Sequence, residues 1–525
     1  MAYAPGVEGS FRLAELLGGL TLACDVANAN APEKALRTVV LAVEIGRRHG
    51  VAEPDLRDAY YVNLLRYVGC VGFAHEEAHV YGDGDDIGTR EVMGMADAAD
   101  PLGTVRRIVT RIGRGGTVAG RVRAVANMLG DREVVGLHSY AQCDASQRLS
   151  DMAGMGPRIG AALRFVCERW DGKGHPAHVA GDAIPVAMRL HHLADLIELA
   201  LQRGGRTSAI RLAHRRSGGQ LDPHLTRTFL DHADELLAMV DGPSCWDRYL
   251  AVEPTPHLTA GPTRIDDVAR AFACFADLKS TWTLGHSMGV AELADRAAQA
   301  MGLPAEERTA LRRAAWLHDL GRVSVANGVW DKPGKLTVSE WERVRMHSYW
   351  TERALWQARP LRPLAQLAGG AHERVDGGGY HRSLPGVALG RAARVLAAAD
   401  SFRAMREDRP YRAALDENAA TRALLDDVAS GRLDRDAARA VLDAAGARAP
   451  RMPGWPCGLT DREIEVLRLV ARGGSNKEIG MHLGISARTV QHHVAHLYAK
   501  IGVGSRAGAA LFATEHGLLE PGMLL

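Results

Sequence analysis

The sequence predicts an almost all-α protein, and three observations carry that expectation. Apolar residues recur at helical spacing along most of the chain, alternating runs typical of strands are scarce, and the last segment carries three successive helix-start signals. "EERTALRRAAWLHDLGR" puts Leu311, Ala315 and Leu317 on one side and Arg308, Arg312 and Arg313 on another. "PEKALRTVVLAVEIGRRHG", "AELADRAAQAMG", "ATRALLDDVASG" and "RDAARAVLDAAG" read the same way. Near the N-terminus an apolar stretch is broken by Glu8, Arg12 and Glu15 and has no basic leader, which predicts an amphipathic helix rather than a signal peptide. No run approaches the roughly 20 apolar residues that span a bilayer, so no membrane partner is expected.

A chain of 525 residues exceeds what one core organises, and about two to four domains are expected. Hydrophobic residues at 46%, charged residues at 24% and a net charge of +2 describe an ordinary globular protein, so overall charge selects no partner. Cys24, Cys70, Cys143, Cys167, Cys245, Cys274 and Cys457 show no paired spacing, which predicts reduced thiols and a cytoplasmic location.

The middle of the chain is written twice. "CERWDGKGHPAHVAGDAIPVAMRLHHLAD" lies over "HERVDGGGYHRSLPGVALGRAARVLAAAD" without a gap. Glu168, Asp171, Gly172, Gly174, Gly181, Arg189 and Asp195 match Glu373, Asp376, Gly377, Gly379, Gly386, Arg394 and Asp400 at a constant offset of 205 (373 − 168, 400 − 195). Upstream, "LHSYA" matches "MHSYW" at an offset of 209 (346 − 137). A Pro- and Gly-rich linker at 446–458 then separates a small terminal domain.

In the second copy His286, His318, Asp319, His347, His372 and Asp400 fall on or beside helices. Neutral imidazole and carboxylate are the donors that hold Mn, Fe, Ni or Zn, and the absence of cysteine among these donors argues for an open, reactive site rather than a structural zinc. "HDLGR", "MHSYW", "HERVDGGGYH" and "AADSFRAMREDRPYR", in this order, resemble the HD-GYP subgroup of HD-domain phosphohydrolases over roughly residues 265–445. That resemblance implies a helical bundle in which His286, His318, Asp319, His347, His372 and Asp400 hold two or three metals and cyclic di-GMP is hydrolysed. Given this chain's departures from the family pattern, one or two divalent transition metals, iron or manganese, are expected here, with a nucleotide or other phosphate ester as ligand. It further implies that Asp319 is shared between metals and holds the attacking hydroxide. Gly377, Gly378, Gly379 and Tyr380 would approach the substrate, Arg409 and Arg412 would clamp phosphate, and Arg322 would stand at a catalytic position.

This sequence departs from the family pattern. Ala371 replaces the first of two adjacent histidines, Trp282 replaces a glutamate associated with a third metal, and His381 replaces the proline of GYP. Arg322 stands where the family has lysine, and a guanidinium neutralises charge but is a poor proton donor. The first copy, residues 10–245, departs further. Lys34 falls opposite His286, Cys167 opposite His372, and Arg66, Tyr67 or Val68 opposite His318 and Asp319, which leaves only His138 and Asp195. A scaffold, dimerisation face or binding module is expected there. "AHEEAHVYGDGDD", 74–86, reads as a solvated acidic loop, with His75, Glu76, Glu77 and His79 as the alternative metal donors.

In residues 459–525, Thr460 with Glu463 and Ser475 with Glu478 fit capping boxes, Ser486 fits a third N-cap, and "SRAGAALFATEHG" adds a fourth helix. A short "LGIS" turn gives the spacing of a helix-turn-helix. The segment resembles the LuxR-type DNA-binding domain along its whole length. Lys477, Arg488, Thr489 and Lys500 are expected at phosphates of double-stranded DNA, with Val490, Gln491 and His493 on the exposed face of the third helix. Gln491 replaces the family's lysine and suits adenine. The whole reads as a homodimeric transcription regulator: two tandem HD-like helical domains, the first degenerate, followed by a four-helix LuxR-type domain. The alternative is a regulator in which both HD-like domains sense a ligand or metal without catalysis.

Overall fold

A computed structural model describes residues 11–80, 84–94, 101–112, 118–130, 132–447, 455–471 and 474–503, together with 505, 509–510, 512–513, 516 and 518. The chain is all-α, as its periodicity predicts. Among the described residues the only sheet is a two-residue antiparallel pair, Phe11–Arg12 against Thr259–Ala260. The predicted helices form at Lys34–His49, His286–Ala300, Ala305–Leu317, Glu417–Ala429 and Arg435–Ala445; the last stops at Gly446, whose φ of 73° suits a residue without a side chain.

The repeat is visible in backbone detail. Glu373 accepts from the amides of Arg382 and Leu384, and Glu168 accepts from those of Ala177 and Val179, the same spacing in both copies. A methyl group added to Gly379 would meet the Glu373 backbone at 2.6 Å, and one added to Gly174 would meet the Glu168 backbone at 2.4 Å. The glycines shared by the two loops therefore serve a tight backbone approach within each loop.

The two copies are not independent bodies. Helix Leu13–Ala27, expected to be amphipathic, is buried on nearly every side, because it packs against helix Val338–Gln357 of the second copy as well as against its own. Gly19 abuts the Ala358 backbone, where an added methyl would come within 2.2 Å. One continuous apolar core runs from Leu13 through both copies to Ala447, and the terminal domain keeps a separate one around Leu467, Val490 and Leu497.

A buried ion cluster pins the seam. Asp86 accepts from Lys279 and from the Asn327 amide of the second copy, and pairs with Arg90 of its own at 2.9 Å. Arg90 in turn binds Glu77 at 2.8 Å. The expected acidic loop at 74–86 is thus largely a structural element: Ala74–Val80 is helical, His75 pairs with Asp331 at 2.9 Å, and Glu77 is buried between Arg90 and His138. The His79 side chain lies outside the described residues, as does most of the 446–458 linker.

The terminal domain rests on the second copy through Arg468, which donates to the Ala429 carbonyl at 3.2 Å. Its three capping signals are all realised, at Thr460, Ser475 and Ser486. Of the expected fourth helix, Ala509, Ala510, Phe512 and Ala513 are described and helical, Ser505 and His516 are described as bend and turn, and the rest lies outside the described residues.

Removing one partner from a buried ion pair strands the other charge. Asp86→Ala is expected to destabilise the paired copies by about 3–5 kcal/mol, whereas Asp144→Ala, whose partner Arg148 is exposed, should leave stability almost unchanged. Urea unfolding followed by circular dichroism measures both; equal effects would contradict the role given to the seam.

Candidate metal centre and nucleic-acid interface

Five elements deliver the histidines and carboxylates of the second copy to one point. His286 opens helix His286–Ala300 after Gly285, whose φ of 75° reverses the chain. His318 and Asp319 end helix Ala305–Leu317, His347 lies inside helix Val338–Gln357 behind a Thr337–Glu340 capping box, His372 follows Ala365–Gly369, and Asp400 lies in helix Arg391–Met405.

The distances make one cluster. His347 Nε2 lies 3.1 Å from Asp319 Oδ1 and 2.9 Å from His372 Nε2; His372 Nδ1 is 3.2 Å from Asp400 Oδ2; His286 Nε2 is 3.1 Å from Asp400 Oδ1. His318 Nε2 stands 3.6 Å from both carboxylates. Two overlapping triads, His286–His318–Asp400 and His318–Asp319–His372, each bring their donor atoms within 4.8 Å of one another. All six residues expected from the sequence are brought together.

The donor set fits a cation. His318 Nδ1 lies 2.7 Å from the Ala315 carbonyl, which only accepts, so this nitrogen carries the proton and Nε2 presents a lone pair. That Nε2 is buried and has no hydrogen-bond partner. His347 repeats the logic: Nδ1 donates to the Val344 carbonyl, and Nε2 turns its lone pair on the Asp319 carboxylate. Lone pairs facing carboxylate oxygens at this range are matched by positive charge between them, a metal ion or a proton on the imidazole.

Electrostatics agree. Burial opposes the charged forms of Asp319 and Asp400, yet Arg322 beside the first and His372 beside the second hold both carboxyls well below the usual range. Burial likewise opposes protonation of His286 and His372, but Asp400, with Glu407 at His286, lifts both to about 9. Burial lowers His347 instead.

The other expected residues divide. Tyr380 stacks on His372, with ring centroids 4.7 Å apart, and Gly377 takes the left-handed φ of 80°. Gly379 packs against its own loop rather than presenting backbone to a ligand, and Gly378 abuts Asp376. Arg322 donates to Asp319 Oδ2 at 2.6 Å and lies over Trp330. Arg409 binds Glu407 and the Trp282 carbonyl. Arg412, expected at phosphate, instead spends its guanidinium on the carbonyls of Ala404, Met405, Glu407 and Ala413, closing the end of a helix. His381 turns away from the cluster toward Glu352.

Sequence reasoning missed Glu407, 2.8 Å from His286 Nδ1, although it lies within the quoted "REDRPYR". It also missed a small cleft beside the cluster, about 100 Å³, bounded by Arg322, Lys332, Arg409, Trp282, Trp341 and Tyr411. The clue was available: those aromatic residues stand in loop segments or near helix starts rather than at core spacing.

In the terminal domain, Lys477, Arg488, Thr489 and Gln491 are exposed and His493 is half-buried. Two expectations fail. Val490 faces inward and is fully buried, because its turn of helix Ala487–Ile501 packs on Asp461–Ala471 and Asn476–Leu483. Lys500 is engaged by Glu463 at 2.6 Å and by the Gly458 carbonyl, so it ties the third helix to the first.

Comparison with known proteins matches residues 270–437 to the HD domain family and residues 458–513 to the luxR family of bacterial regulatory proteins. The chain joins an HD domain to a LuxR-type DNA-binding domain. A Vibrio cholerae protein named 3′3′-cGAMP-specific phosphodiesterase 3 is 28% identical over 378 residues, covering 70% of this chain and 81% of the relative. The crystal structure of a cyclic GMP-AMP specific phosphodiesterase from V. cholerae superposes with a TM-score of 0.58 at 26% identity, over 83% of this chain and 98% of that one. Over 60 residues, 11% of this chain and 28% of the relative, the LuxR-type domain is 52% identical to a Bacillus subtilis transcriptional regulatory protein, YhcZ. The chain is thus a homologue of an HD-domain phosphodiesterase fused to a regulator domain, and HD-domain phosphohydrolases are metal-dependent. No helix among the described residues is long and apolar enough to cross a membrane.

A metal must displace protons from His286 and His372, which titrate near 9 without it. Apparent metal affinity should therefore rise from pH 6 towards pH 9 and fall on acidification. Metal content after dialysis across that range checks this; retention independent of pH would contradict it.

Proposed function

We propose that residues 265–445 hydrolyse a phosphodiester bond of a 3′,3′-linked cyclic dinucleotide, with iron or manganese held as one or two ions by His286, His318, Asp319, His347, His372 and Asp400. The observation that carries this reading is the buried, unpartnered Nε2 of His318 aimed into a ring of carboxylates and imidazoles. A divalent metal supplies polarisation of phosphoryl oxygens and a lowered pKa for water. The chain's own groups do the rest. Asp319 stands central to the cluster, within 4 Å of His286, His318, His347 and His372, and Arg322 steadies its outer oxygen. A guanidinium is a poor proton donor, so the part of Arg322 is to neutralise charge building on the phosphoryl group. Trp282, Trp341 and Tyr411 offer exposed rings on which bases can stack, next to the cations Lys332 and Arg409. A relative named for cGAMP makes that dinucleotide the first substrate to test and cyclic di-GMP, expected from the motifs, the second.

In this reading the 459–525 domain binds double-stranded DNA as a homodimer in the cytoplasm and the chain regulates transcription. A second reading, ligand sensing without turnover, is favoured by one observation: Arg322 occupies an Asp319 oxygen at 2.6 Å.

Metal-loaded full-length protein should convert 3′,3′-cGAMP to linear product, followed by liquid chromatography. Asp319→Ala should lower kcat by at least about 10³-fold, the several kcal/mol a metal contributes. Trp341→Ala should raise KM roughly tenfold with kcat little changed, since stacking contributes about 1–3 kcal/mol per base. Absence of product from either dinucleotide, with metal bound, would favour the sensing reading. For DNA, Arg488→Ala should weaken binding on all sequences and reduce the salt slope by about 1, whereas Gln491→Ala should change sequence preference; fluorescence anisotropy at several salt concentrations separates them.

A further inference from the structure

The first copy keeps a cavity where its catalytic cluster would stand. The structural pairing of the copies shows what fills the old ligand positions. Lys34, Arg66 and Tyr67 stand opposite His286, His318 and Asp319 at one offset of 252 (286 − 34, 318 − 66, 319 − 67), each pair at the same place in its helix or turn. Ser146 Oγ donates to the Arg66 carbonyl as Thr351 Oγ1 does to that of His318, and Gly69 packs on Gln142 as Gly321 packs on His347. Gln142, one helical turn beyond His138, is therefore the counterpart of His347, which restores the offset of 205 (347 − 142). His138 belongs to Glu77, and the sequence match "LHSY" misplaces it by four residues (142 − 138). Of the six donors only Asp195 survives.

The replacements change the sign of the site. The Lys34 ammonium lies against Asp195 and Tyr67, where a metal would otherwise face Asp195. Arg66 bonds to neutral partners, His191 Nε2 and Cys70 Sγ at 3.2 Å each, lies over the Tyr67 ring, and makes no ion pair with a carboxylate among the described residues. Arg203 and Lys173 stand exposed at the rim. The cavity they share measures about 590 Å³, within the roughly 300–1,000 Å³ of small-molecule sites and far larger than the cleft beside the metal cluster. Ile108, Leu196 and Leu199 form an apolar wall, and Asn30 and Gln220 add amide groups, whereas the Gln142 amide is engaged by Cys70 and Cys167.

We infer that this cavity binds a phosphate-bearing nucleotide and cannot hydrolyse it. A partly buried guanidinium without a carboxylate is an anion site awaiting its anion. The apolar wall and amides suit a base, and the volume exceeds what inorganic phosphate needs. Turnover is excluded because Lys34, Arg66, Tyr67, Gln142 and Cys167 leave no set of donors for a metal. The inference does not depend on hydrolysis by the second copy.

The test is equilibrium dialysis of the full chain carrying Asp319→Ala, with labelled 3′,3′-cGAMP, GTP and inorganic phosphate, together with hydrogen exchange to locate the bound probe. A nucleotide should bind with protection in 66–70 and 186–203. Arg66→Gln should raise that Kd by about ten- to a hundredfold, the range for a hydrogen bond to a charged group. The exposed Arg203→Gln, which puts no core contact at risk, should raise it severalfold. Both single variants in the otherwise native chain should keep the hydrolytic kcat of the second copy. Preference between cGAMP and GTP identifies the nucleotide class. Binding of phosphate alone, protection confined to the second copy, or a nucleotide Kd unmoved by either arginine change would overturn the inference.

Discussion

Everything in this chain depends on two repeats sharing one core. Helix Leu13–Ala27 is buried by both, and the Asp86 carboxylate is satisfied only when Arg90 of one copy and Lys279 of the other reach it together. Burying a carboxylate costs several kcal/mol per ion, so the cluster is tolerable only fully assembled. This explains why a copy stripped of its metal donors persists: it is half of the wall that positions helix Val338–Gln357 and the turn at Leu320–Ser324, and through them His347 and Asp319.

The repeats solve one electrostatic problem in opposite ways. In the second, four imidazoles and two carboxylates converge, and protons on His286 and His372 hold the cluster together until a metal displaces them. In the first, side-chain cations stand in the corresponding places, Lys34 against Asp195 and Arg66 beside it. A metal-demanding site and a self-neutralised, anion-seeking site thus sit on the same backbone, differing in a handful of side chains. The terminal domain leans on the second repeat through Arg468 at the Ala429 carbonyl, beside the loop that carries Asp376.

Much of this was legible in the sequence. Helical periodicity gave the class because burial follows it in nearly every element, and the six second-copy donors were legible because motif order survives folding. Three kinds of residue escaped. Helix Leu13–Ala27 looked amphipathic, since a sequence does not reveal that a second repeat will cover its outer face. Arg412 and Lys500 were read as phosphate contacts, but the carbonyls of a helix end a few residues upstream claim the first, and Glu463, which only the fold brings near, claims the second. His138 was taken for a surviving donor because "LHSY" matches by identity, whereas register in the helix places Gln142 there.

The central claim is that the His–Asp cluster of the second copy holds a transition metal. It is tested most directly by anomalous diffraction from crystals of the full chain, collected on both sides of the iron and manganese edges. A peak among His318 Nε2 and the carboxylates of Asp319 and Asp400 is expected, and none beside Lys34. A cluster without anomalous signal, closed by direct hydrogen bonds among His318, Asp319 and Asp400 in metal-supplemented crystals, would contradict it.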